Sequence, residues 1–154
     1  MKNLSILTIA LIATLLLSCD KSPEKITAAN LQKIATINTN GLTKQYVLEN
    51  RFIDVDLDIV NKEINDRTKN KYQKPELAKA KAAIYRFYKN VSIKDGHYIQ
   101  TIKSAKELNI SDKLFLLFST NIQKMNKSLD SLRAKKVEVE MPPADEKYFS
   151  SLLN

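Results

Sequence analysis

Three carboxylates at alternate positions, Asp54, Asp56 and Asp58, are the densest set of candidate ligands in this 154-residue sequence. D-x-D-x-D is how a calcium loop begins, with oxygen donors from alternate residues closing round the ion. The loop then needs glycine at its sixth position for a sharp turn and glutamate at its twelfth for bidentate coordination. Ile59 and Asn65 stand there instead. On a helix, residues two apart point about 200° away from one another, so the three acids are expected to form a solvated edge. His97 is the only histidine, whereas a zinc site needs several nitrogen or sulfur donors; beside Gly96 it reads as a polar turn residue. The sequence contains neither a G-x-S-x-G nucleophile elbow nor a glycine-rich phosphate loop. Two acids distant in sequence could still meet over a glycan. Sites of that kind sit on shaped loops, for which two glycines leave little scope. No catalytic residue, metal or cofactor is expected, and a carboxylate-dependent glycan enzyme is the least favoured reading.

Binding chemistry is better represented. Lys69, Lys71, Tyr72 and Lys74, then Tyr85, Arg86, Tyr88 and Lys89, interleave cations with aromatic rings. Lys71, Lys74, Tyr85, Arg86, Tyr88 and Lys89 could form a patch for an anionic polymer or lipid headgroups, with rings stacking and cations pairing. The plainer alternative, which is the more common, has Tyr85 and Tyr88 lining the rim of a helical core while the lysines solvate the surface. The C-terminal Tyr148-Phe149-Ser150-Ser151-Leu152-Leu153 either docks on its own domain, the commoner arrangement, or is offered to another protein.

The only cysteine, Cys19, closes an apolar run. Lys2 supplies positive charge, Leu4 to Leu17 are apolar but for Ser5, Thr8 and Thr14, and Ser18 is small, which is the layout of a secretory signal peptide. A permanent span needs about 20 apolar residues; this run is shorter and meets Asp20, Lys21, Glu24 and Lys25 at once. Leu16-Leu17-Ser18-Cys19 resembles the bacterial lipoprotein signal, or lipobox. The resemblance covers residues 1–19 only. It implies a diacylglyceryl group on the Cys19 sulfur, cleavage between Ser18 and Cys19, and acylation of the new amino terminus by a fatty acid such as palmitate. Each buried methylene contributes about 0.8 kcal/mol, so several chains hold a protein stably in its bilayer. Acylation would leave no thiol for a disulfide, a metal or a nucleophile.

An exported lipoprotein would stand on the periplasmic face of the inner or outer membrane, and Asp20 resembles an inner-membrane retention signal. The expected partners are the membrane, through the N-terminal lipid, and a protein of the cell envelope. Nucleic acid is a poor candidate, because export removes the chain from it. Small helical lipoproteins accompany secretion machines among other envelope systems. The function expected is therefore that of a binding or accessory subunit, with direct binding of wall polymer or anionic lipid through the basic-aromatic patch as the alternative.

Residues 1–18 would be removed and residues 19–22 would form a lipidated tether, leaving 23–154 as one domain. Two glycines and four prolines argue for long helices with few connections. The expected fold is all-α, an antiparallel bundle of four to five helices. Ser22-Pro23-Glu24 reads as a helix start, with the helix running to about Thr39 and stopped by Asn40-Gly41. Leu42 to about Arg67 reads as a second helix, although Ile53 to Ile59 alternates at the strand period. Pro75 opens a third, with Leu77, Ala80, Ile84, Phe87 and Val91 as its stripe. A short helix is expected from Tyr98 to Leu108, and the longest from Asp112 to Lys136, capped by Ser111. Val137 to Glu140 reads as extended, Pro142-Pro143 as a stop, and Asp145 as the cap of a last short helix.

Overall fold

The computed structural model describes residues 34–65, 74–137 and 145–154. After a helical turn at 34–36 come α1 (Leu42–Glu49), α2 (Leu57–Asn65) and α3 (Pro75–Tyr88). A hairpin of β1 (Val91–Lys94) and β2 (His97–Gln100), a 3-10 turn (Ala105–Leu108), α4 (Asp112–Ala134) and α5 (Glu146–Leu152) follow.

The sequence of α3 explains its central place. Pro75 sits in the first turn, where its missing N–H costs nothing. Ala78, Ala80, Ala82 and Ala83 then keep every side of the helix slim, so neighbours approach all round and ten of its residues are buried. The turns of α1, α2, α4, α5 and the 3-10 segment all pack on it. Leu77, Ile84 and Phe87 meet Ile34, Ile53, Val60, Ile110, Leu114, Phe118 and Leu152 in one core. The expected stripe holds as far as Phe87, and Val91 has left the helix for β1.

Capping is partly local and partly borrowed. Ser111 Oγ accepts from Leu114 N–H at 3.4 Å and Asp145 Oδ1 from Tyr148 N–H at 2.8 Å, as expected of these residues. Lys74 cannot cap α3, and Glu63 of α2 does so in its place, accepting from Leu77 N–H at 2.7 Å. Burial raises the pKa of Glu63.

Two expectations are corrected. The single helix from Leu42 onward is two: Asn50 turns left-handed (φ 48°) and ends α1. The chain then runs extended, with Ile53 N–H donating to Asn109 O and Ser111 N–H to Ile53 O, both at 2.8 Å. This is a single parallel bridge between Ile53 and Ile110. The strand-like alternation is real over this short piece, since Ile53, Val55 and Leu57 are buried while Asp54 and Asp56 are exposed. Asp56 then caps α2, its Oδ1 accepting from Asp58 N–H at 2.9 Å and Ile59 N–H at 3.1 Å.

The second correction is an addition: the protein is mostly helical, as expected, but it also carries a small two-stranded antiparallel hairpin. Asp95 (φ 49°) and Gly96 (φ 72°) form the two-residue turn whose twist suits a hairpin, pairing Lys94 with His97 and Val91 with Gln100. In place of the expected helix from Tyr98 lie β2, an extended link and the 3-10 turn, whose Ser104 and Glu107 form a capping box. Helices of 8 and 9 residues, α1 and α2, are also too short to run the length of the 23-residue α4. The expectations for residues 1–33, for Asp66 to Gln73 and for Glu138 to Ala144 lie outside the described residues.

Candidate functional site

Cys19, Ser18 and Lys71 lie outside the described residues, as do Lys69 and Tyr72. The remaining members of the expected patch are divided between surface and core. Tyr85 is half-buried, edge-on to Phe149 at 5.5 Å, and Lys89 Nζ lies 5.5 Å from its ring centroid. Lys74 Nζ donates to Glu63 O at 2.9 Å. Arg86 and Tyr88 point inward, each 8% exposed, and are not available to a surface ligand. The Tyr88 ring packs 5.3 Å from Phe87 and 6.1 Å from Phe118, and burial pushes its hydroxyl pKa up. Of the six patch residues, Tyr85 and Lys89 are the two that the described structure brings together at the surface.

Arg86 serves the fold's interior. Its guanidinium donates to Tyr46 O (2.6 Å), Arg51 O (2.9 Å), Leu108 O (3.1 Å) and Asn109 O (3.3 Å). Tyr46 O lies in the last turn of α1 and Leu108 O at the end of the 3-10 turn, where carbonyls lack intrahelical partners and the helix dipole is negative. Arg51 and Asn109 follow just after each.

Lys81, five residues earlier, does the same at the other side of the core and went unmarked in the sequence. It is fully buried, and its Nζ donates to Ile37 O and Asn154 O at 2.8 Å, with Ala35 O and Ser151 O at 3.4 Å. The Asn154 main-chain oxygen also accepts from Thr39 Oγ1 at 3.0 Å and Thr39 N–H at 3.2 Å. Thr43 Oγ1 lies 2.7 Å from Thr39 Oγ1. One ammonium thus ties the turn at 34–36, α3 and the end of α5 together. Burial pushes its pKa down to about 8.

Above this hub opens a cleft of about 640 Å³, bordered by Asn38, Asn40, Lys44, Ser151 and Asn154 among others. Asn38 Oδ1 is occupied by Asn40 N–H at 2.7 Å. Gly41, at φ 80°, begins α1 there without a side-chain cap.

The hairpin is fastened to α4 by side chains. Asn126 pairs with the main chain of Tyr98, donating to its oxygen at 2.9 Å and accepting from its N–H at 2.8 Å. His97 Nε2 lies 2.7 Å from Asp130 Oδ1, and its Nδ1 3.2 Å from Asp95 O. Arg133 donates to Gly96 O. His97 is therefore more than a turn residue: it anchors the turn to a helix. The carboxylates sought for calcium are likewise employed locally. Asp56 caps α2, and Asp54 is held below the usual carboxylate range, chiefly by a hydrogen bond from Ser111. Among the described residues no three of His, Cys, Asp and Glu are placed to hold a metal.

Comparison with protein-family models, with curated proteins and with solved structures gave no match for this chain.

Proposed function

We propose that this chain is a bacterial lipoprotein whose helical domain, anchored through acylated Cys19 on the non-cytoplasmic side, acts as a binding or accessory subunit of an envelope assembly. The observation that carries the proposal is the sequence Leu16-Leu17-Ser18-Cys19 at the end of a short apolar run behind Lys2. Among the described residues no helix is long and apolar enough to cross a membrane. Replacing Cys19 by serine removes the sulfur that takes the diacylglyceryl group. The variant should leave the membrane fraction, while the wild-type chain stays in it through washes with salt and carbonate. Equal retention of both would overturn the anchor. Pulldown of the lipidated chain from its own membranes should recover a stoichiometric protein partner; recovery of none would overturn the accessory role.

We further read the helices gathered on α3 as an irregular antiparallel bundle. The packing of α1, α2, α4 and α5 on one central helix supports this reading, and interhelical distances by spin labelling would test it.

A further inference from the structure

We propose that the open edge of β1 is a docking site for an extended, acidic segment of a partner protein, which adds to the hairpin as a third strand. This names the surface for the accessory role proposed above and rests on that role, not on the lipid.

The direction of each main-chain group in the hairpin follows from its bonds. Thr101 N–H donates to Asn90 O at 2.9 Å, and the register places Ser92 opposite Ile99 and Lys94 opposite His97. Residues 90, 92 and 94 therefore face β2, because facing pairs alternate between bonded and non-bonded along an antiparallel ladder. The N–H and C=O groups of Val91 and Ile93 point the other way. So do those of Tyr98 on β2, and there the side chain of Asn126 supplies the missing pair.

The two edges are thus treated differently. Tyr98 of β2 is met by Asn126 of α4. Among the described residues nothing pairs with the outward groups of half-buried Val91 and of Ile93, and Ser92, Ile93 and Lys94 are exposed. An unpaired edge is a template for another strand. The template is also rigid, since the contacts of His97, Tyr98 and Gly96 with α4 fix the hairpin before any partner arrives, which lowers the ordering cost of binding. Charge selects the partner's chemistry. Lys89 and Lys94 bracket β1, with Asp95 at the turn and Asp130 of α4, held against His97, as the nearby acids, in a chain of net charge +8. A second copy would bring like charges together; a strand with acidic residues complements the edge.

The test uses the full-length chain in detergent, isotopically labelled, with a blocked octapeptide alternating valine with glutamate as the probe. Amide exchange at Val91 and Ile93 should slow about tenfold or more on adding millimolar peptide. A lysine-for-glutamate peptide, and a peptide N-methylated on its pairing edge, should leave it unchanged. Ile93→Pro deletes an N–H that β2 does not use, a position where proline is tolerated. It should abolish binding while Ser92 and Lys94 remain protected. No slowing with the glutamate peptide would overturn the proposal, as would equal slowing with the lysine peptide. Slowing on raising the protein concentration alone would identify a second copy as the occupant and overturn it too. None of these results bears on whether Cys19 is acylated.

Discussion

Lys81 and Arg86 place two positive charges in the core, each held by main-chain oxygens at helix ends. Carbonyl ends that would otherwise be buried without donors gather round each cation, so one residue satisfies several strands of chain at once. For Lys81 this has a consequence in pH. Its pKa falls from 10.5 to about 8 on burial, so between these values the unfolded chain binds more protons than the folded one. Stability should therefore rise with pH across that window, the gain being complete above 10.5 and lost as pH falls to about 8, of order 1–3 kcal/mol. Tyr148 works in the opposite sense: burial raises its pKa to about 12, so stability falls again once unfolded tyrosines ionise. Urea melts at a series of pH values should show the rise, and Lys81→Met should flatten it. A wild-type midpoint that does not move between pH 8 and 10 would contradict this assignment. The stripe through Leu77, Ile84 and Phe87 was legible in the sequence. The burial of Lys81 and Arg86 was not, because a charged residue beside a stripe normally reaches water. The signal lay in the four alanines between Ala78 and Ala83, which leave α3 too slim to have an outer face.

At the scale of elements, short range chemistry was mostly readable and medium range was not. Ser111, Pro75 and Asp145 start helices as their types suggest, because a cap depends on neighbours within one turn. Asp95-Gly96 is the strongest short hairpin signal, a pair that accepts positive φ twice, yet a helix was expected from Tyr98 directly after it. Gly96 shows how tight that turn is. A Cβ there would run into the Arg133 guanidinium on a backbone of φ 72°. Gly96→Ala should thus cost about 1–2 kcal/mol in chemical denaturation, and an unchanged midpoint would show that the clamp is loose. Asp56 escaped notice as a cap because its place in an acidic alternation pointed to metal or to solvent. Helix α5 resolves the choice left open for the C-terminal segment: Leu152 is fully buried, and Tyr148 and Phe149 pack on the core. Leu152→Ala should lower stability by roughly 2–4 kcal/mol. A change under 0.5 kcal/mol would mean that α5 is not seated as described.

At the scale of the molecule, Lys81 and Arg86 join segments that the sequence separates widely, and no periodicity announces such long-range ties. That is why one long helix was expected from Leu42 and another helix from Tyr98, where short helices and a hairpin gather beside one central helix. The surface role proposed for β1 and the anchor proposed at Cys19 fit together as a tethered domain that recruits a partner. The anchor, however, is the claim on which compartment, partners and accessory role depend. The most direct measurement is the intact mass and N-terminal peptide of the protein isolated from its own membranes. The account predicts a chain beginning at Cys19 that carries a diacylglyceryl group on sulfur and a fatty acid on the amino terminus. A chain that still begins at Met1 and bears a free Cys19 thiol would contradict it.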